Sequence, residues 1–299
     1  MKSLFIITKR NIKLFFKDKG MFFTSLITPM ILLVLYATFL GNLYKDTFMS
    51  VFPNGFEINE SLIDACVGGQ LISSILAVSC VTVAFCSNML MVQDKANFTV
   101  NDFSVTPVDK RIMSLGYYIA TLVSTLIICF AATGICLVYI ASVGFYMSLS
   151  DVLFLLLDVF ILVMFGVAIS SIINFFLSTQ GQISAVGSII SAAYGFICGA
   201  YMPISQFSEG LQKVLSFMPG TYGTSLIRNH AMRGPLEEMA KSGVPEEMIT
   251  GIKDTIDCNI YLLDKPVEVG TMYIILGGTA VLLIAVYVLM NLFQRKQKG

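Results

Sequence analysis

Five stretches of this chain contain no Asp, Glu, Lys or Arg: 20–44, 65–93, 112–150, 159–208 and 269–294. Together they hold 169 of the 299 residues, so all 38 charges fall in the other 130. A helix needs about 20 apolar residues to cross the hydrocarbon core of a bilayer, and no soluble core requires such windows five times. Charged residues make up only 13% of the chain, against about 25% in a soluble globular domain. The pattern excludes soluble enzymes, disordered tails and nucleic-acid-binding proteins. It predicts an all-α polytopic membrane protein, because a lipid-facing backbone must pair its polar groups within its own segment.

The windows resolve into six spans of a single transmembrane domain covering 1–299, at about 21–43, 65–92, 112–141, 152–177, 183–201 and 270–293. Ser178-Thr179-Gln180-Gly181-Gln182 is the breaker that divides the longest window. Lys and Arg then set the orientation. Twelve lie in residues 1–19, in the loop 94–111 and in the tail; the opposite short loops carry only Lys45, and six more sit in the long segment 202–269. Both termini are therefore expected in the cytoplasm, with the chain a multi-pass protein of the plasma membrane. In residues 1–19, Leu4, Phe5, Ile12, Phe15 and Phe16 recur near helical spacing while Lys9, Lys13 and Lys17 mark another face, as in a helix lying in the headgroup region. The chain has no Trp, which leaves the interfacial belt to tyrosines.

Little in the sequence points to catalysis. There is no G-x-x-x-x-G-K-[ST] run to cradle a nucleotide, no metal-binding spacing of cysteines and only one histidine, His230, which reads as a surface residue. The chain is expected to bind no cofactor itself and to be no enzyme. One ionisable group, Asp158, falls inside a span, where an unpaired charge is costly and often functional. Small residues recur at four-residue steps in the fifth span (Gly187, Ser191, Gly195, Gly199), with a shorter counterpart in the second (Gly69, Ser73, Ala77). Such stripes permit close helix contact, either within one chain or at a dimer interface or pathway wall.

Two segments between spans carry further signals. Asp94 to Arg111 can form a short helix over about Ala96 to Ser104, stopped by Pro107, with Phe98 and Phe103 as apolar knobs for a groove on a soluble partner. On the other side, Phe207 to Met218 reads as a short amphipathic piece bounded by Pro203 and Pro219, too short to span. The polar stretch 234–266 reads as one or two small helices outside the membrane.

At these two segments the chain resembles the permease subunits of the type-2 ABC exporter family. Those carry an acidic residue and a Gly-Thr pair, then an apolar stretch closing in Thr-Pro; Asp94, Thr99, Phe103, Thr106 and Pro107 fall on these positions, and Phe98 stands where the family usually has glycine. Gly199, Pro203, Leu211, Pro219, Thr221, Tyr222 and Arg228 follow the order of the family's second motif. The resemblance implies an ATP-driven exporter of an amphipathic substrate (a drug, lipid or peptide antibiotic), built from two permease subunits, identical or different, and two copies of a separate ATP-binding subunit that holds ATP and Mg. Asp94, Phe98, Thr99, Asp102, Phe103, Thr106 and Pro107 would form the ATPase-coupling element. Gly69, Ser73, Gly187, Ser191, Gly195 and Gly199 would line the dimer interface or pathway. Pro203, Pro219 and Tyr222 would belong to an external gate of re-entrant helices between spans five and six. Membrane lipid would be a further partner, and nucleic acid none. Two other classes fit a polytopic chain: an ion-gradient-driven secondary transporter and a non-transporting membrane immunity protein.

Overall fold

The computed structural model describes residues 2–52, 59–100, 108–263 and 265–293. Helix α1 (Lys2–Lys17) precedes a long apolar rod made of α2 (Lys19–Leu35), a π-helical turn at Tyr36–Leu40 and α3 (Gly41–Ser50). Then come α4 (Glu60–Ala96), α5 (Lys110–Val143), α6 (Leu149–Phe176) and α7 (Gln180–Ile197). A 3-10 turn (Ile204–Gln206) and α8 (Glu209–Leu215) lead into α9 (Pro219–Lys241), α10 (Glu246–Thr255), the two-residue strands β1 (Tyr261–Leu262) and β2 (Lys265–Pro266), and α11 (Val269–Phe293). The expected all-α membrane architecture is what the chain adopts.

Local chemistry sets most of these boundaries. Asp18 caps α2 by accepting from the Met21 amide at 3.1 Å, and Asn59 and Asp109 do the same for α4 and α5. Ser148 with Asp151 opens α6 and Thr179 with Gln182 opens α7, both as capping boxes; each satisfies amides that have no partner in a first turn. The breaker run in the longest apolar window is thus a helix start. Pro219 begins α9, where its missing N–H and fixed φ cost nothing. Pro29 is accommodated inside α2.

Five helical stretches are long and apolar enough to cross a membrane: Lys19–Ser50, Glu60–Ala96, Arg111–Val143, Leu149–Phe176 and Val269–Phe293. The first continues well past the expected end at 43, because the π-helical turn carries the rod onward without a break. Helix α7, with 18 residues, is shorter than the other five. Contacts mark the two ends of the bundle. Asp94 near the end of α4 meets Arg10 of α1, Gly116 near the start of α5 abuts Ile7 of α1, and Tyr287 near the end of α11 reaches Ser114. These mark one end of the bundle, the α1 end. Lys45, Glu60, Asp151 and Arg233 lie at the other, the cap end.

Helix α4 is the central post, buried along most of its length and packed on α2, α5, α6, α7 and α9. It packs closely on α6, where a Cβ on Gly166 would stand 2.8 Å from the Cys80 carbonyl oxygen and 3.1 Å from the Val81 Cα.

The region between α7 and α11 departs most from expectation. Residue 234 falls inside one continuous helix, α9, rather than opening a separate outer segment. That helix is wedged among α4, α6 and α11, with Gly223 against Leu162 well inside α6 and Gly234 against the Tyr146 carbonyl at the cap end. The amphipathic piece before it is helical only over Glu209–Leu215. Helix α10 and the small β hairpin complete the cap.

Candidate functional site

At the α1 end, Asp94 points inward. Arg10 donates to both of its oxygens, at 2.6 and 3.2 Å, and the Tyr117 hydroxyl donates to it as well. The carboxylate therefore fastens α1 and α5 to the last turn of α4. Lys95, the next residue, donates to the carbonyls of Asn174, Phe175 and Leu177 and so satisfies the C-terminus of α6. Helix α1 buries Ile7, Asn11 and Phe15 against the bundle, a narrower face than its apolar residues suggested, and leaves Phe5 and Ile6 about two-thirds exposed.

The chain turns at Asn97 and Phe98, and helical backbone resumes at Thr99. The expected short helix therefore does not begin at Ala96, which still belongs to α4. Phe98 has φ of 59° and a side chain 71% exposed. The left-handed conformation explains why a glycine suits this position, since only glycine adopts it without steric cost. Asp102, Phe103, Thr106 and Pro107 lie outside the described residues.

A groove of about 1150 Å³ runs along the bundle between the α2–α3 rod and α7, with Cys86, Met89 and Gln93 of α4 at its floor toward the α1 end. Asp18, Gln93 and Gln180 stand at its α1 end, and Thr47, Pro203 and Gln206 at its cap end. Ile27, Ile31, Leu35 and Phe39 form an apolar wall between, each 44–61% exposed. Asp18 is the one charged residue among the described lining residues, and its Oδ1 is engaged in capping α2.

The small-residue stripe of α7 divides on inspection. Gly187 and Ser191 line this groove, and Gly187 also admits Met89 of α4, whose Cε a Cβ would meet at 2.5 Å. Gly195 instead receives the Tyr201 ring, which a Cβ would meet at 2.4 Å, while the Tyr201 hydroxyl donates to the Ser191 carbonyl at 3.1 Å. Gly199, at φ 73°, ends the helix. On α4, Gly69 admits Met232 and Ala231 of α9, and the Ser73 hydroxyl lies 3.5 Å from Arg228 Nε. These four positions have packing reasons within the chain.

Pro203 lies at the cap end of the groove, Pro219 starts α9, and Tyr222 is buried with its hydroxyl donating to the Ser216 carbonyl at 2.5 Å. Arg228, fully buried, donates to the carbonyls of Ile256 and Gly199 and lies 3.5 Å from Asp257. Burial pushes the Asp257 carboxyl above its ordinary range, opposed by Arg228 and by the amides of Ile204 and Ser205 that donate to it. Burial also pushes the Cys258 thiol up to about 12, leaving it inert as a thiolate nucleophile.

His230 is not a surface residue. It is 7% exposed, and its Nδ1 lies 2.6 Å from Asp158 Oδ2. Asp158 is fully buried and also accepts from the Tyr273 hydroxyl. The intramembrane carboxylate therefore has partners from α9 and α11. Sequence spacing holds part of this pairing: Asp151 and Asp158 are two turns apart on α6, and His230 and Arg233 one turn apart on α9, so the two acids face two bases once the helices are antiparallel.

Residues 2–231 match the protein-family model described as ABC-2 type transporter. No curated protein matches the chain.

Proposed function

The chain belongs to the ABC-2 type transporter family, as a permease subunit, and from that premise we propose that it forms the membrane-spanning half of an ATP-driven exporter. The groove between the α2–α3 rod and α7 carries this reading. Its walls are apolar, its ends are polar, and it is open along one side. An amphipathic molecule entering from the membrane matches that lining, with its apolar part against Ile27, Ile31 and Phe39 and its polar group at either end. A second permease subunit, identical or different, closes the open side, with Gly187 and Ser191 allowing close approach of the two chains. The bundle crosses the membrane six times when α7 is counted with the five longer helices, and the α1 end, rich in Lys and Arg, faces the cytoplasm.

Two copies of a separate ATP-binding subunit supply the energy, with ATP and Mg held there. The loop from Asn97 to Asp109 seats in a cleft of that subunit, presenting Phe98 and Thr99 together with Asp102, Phe103, Thr106 and Pro107. Asp94 lies behind this contact and braces it through Arg10 and Tyr117. Pro203 sits where the groove meets the cap, and Pro219 and Tyr222 set the start of α9 behind it.

Co-expression with the ATP-binding subunit tests the reading. The full chain is expected to co-purify with it, and deletion of 98–106 to abolish co-purification. Gly187→Leu, which fills the groove, is expected to keep the complex and stop transport. Unchanged capture of the ATPase by the deletion variant refutes the coupling assignment; undiminished transport by Gly187→Leu refutes the groove.

A further inference from the structure

Away from the groove, α6, α9 and α11 each contribute one member to a buried polar cluster. The carboxylate of Asp158 accepts from the Tyr273 hydroxyl on one oxygen and faces His230 Nδ1 at 2.6 Å on the other. Phe154 stacks on the imidazole, with ring centroids 5.1 Å apart. Among the described residues, His230 is the only base paired with this carboxylate.

The remaining charges nearby are engaged elsewhere. On α9, Arg233 is held by Asp151 of α6 at 2.7 Å, with Glu237 at 3.4 Å, and Arg228 is turned toward Ile256, Gly199 and Asp257. On α4, Glu60 and Asp64 pair with Lys45. Glu246 and Glu247 of α10, and Glu268 before α11, are exposed.

With Asp158 ionised and His230 neutral, the cluster is a net negative charge sealed from water. One additional proton removes that net charge, whether it resides as imidazolium beside carboxylate or as carboxylic acid beside imidazole. Low-dielectric surroundings penalise uncompensated charge far more than a hydrogen-bonded neutral set. We infer that Asp158 and His230 together form a proton-binding site, and that its single proton keeps α9 seated between α6 and α11. The proton enters from the cap end, where Asp151, Arg233 and Glu237 lead from the surface one turn above His230. Losing it leaves a buried anion, relieved when α9 shifts outward and water reaches the carboxylate. The inference concerns the position of α9 and stands apart from the export reading.

The test uses the full chain in lipid nanodiscs. Hydrogen exchange of the α9 amides, corrected for intrinsic rates, is followed across neutral to alkaline pH. Protection is expected to fall at least about tenfold through one titration step as the proton leaves. In Asp158→Asn, which still accepts from Tyr273 but cannot ionise, protection is expected to stay flat. Tyr273→Phe removes a donor to the carboxylate, so the carboxylate holds its proton more firmly and the midpoint moves up by about half a pH unit or more. A wild-type profile without pH dependence, an Asp158→Asn profile like that of wild type, or an unmoved midpoint in Tyr273→Phe overturns the inference. The last comparison decides the matter even where Asp158→Asn does not fold.

Discussion

Replacing Asp94 by alanine isolates the contact that binds α1 to the last turn of α4. Two losses add. The Tyr117 hydroxyl loses an ionised acceptor, a hydrogen bond of a kind that contributes about 1.5–3 kcal/mol. Arg10 loses a bidentate partner, but its side chain is 30% exposed, so water recovers most of that interaction and about 0.5–1 kcal/mol is left. The total is about 2–4 kcal/mol. With about 2–4 °C per kcal/mol for a chain of this order of size, the melting midpoint is expected to fall by roughly 4–16 °C. The seven cysteines are all free and buried, so a thiol-reactive fluorophore reports unfolding directly, which matters in a chain without tryptophan. Arg10→Met alone is expected to cost less than Asp94→Ala, since it leaves Tyr117 bonded. The double variant should then lose less than the sum of the two. Additivity within about 0.3 kcal/mol, or a fall of less than about 2 °C for Asp94→Ala, refutes the bracing role.

Two further substitutions probe the backbone. Gly166→Ala pushes a methyl against the Cys80 carbonyl and the Val81 Cα, which forces α4 and α6 apart; a loss of about 1–3 kcal/mol is expected in the same thermal assay, and a wild-type midpoint would show that the contact is loose. Phe98→Gly relieves a phenylalanine held at φ 59° and is expected to stabilise the turn by about 1 kcal/mol, while weakening capture of the ATP-binding subunit through loss of the exposed ring; the idea fails if the midpoint falls.

The five long apolar helices were legible because lipid excludes charge so strongly that its absence alone marks them. Helix starts were legible too: the Thr179 and Gln182 pair that reads as a breaker is the capping box of α7. His230 and the depth of α9 were not. Helix α9 has Arg228, His230, Arg233, Glu237 and Glu238 along 23 residues, and a hydropathy reading sends such a segment to water. What admits it to the bundle is pairing with residues far away in the chain, Asp151 and Asp158 before it and Ile256 after it. Partners so distant in sequence leave no local periodicity to read. The same holds for the stripe of α7, where the four-residue spacing is plain but the separate reasons for Gly187, Gly195 and Gly199 depend on which neighbour each one meets.

Apolar surface gives helices no reason to associate in lipid, where the surrounding chains are equally apolar. Helix α9 is therefore held by specific bonds at three levels: Arg228 to the cap and to the end of α7, His230 to the middle of α6, and Arg233 to the first turn of α6. Gly223 and Gly234 let its backbone sit directly against Leu162 and the Tyr146 carbonyl, so there is little room for partial displacement. A helix seated by discrete bonds and close contacts has discrete positions. Arg228 donates to the carbonyl of Gly199, the residue that ends α7 beside Tyr201 and Pro203 of the groove. A shift of α9 must consequently pull on the cap end of the groove, which links the buried Asp158 and His230 pair mechanically to that end of the groove.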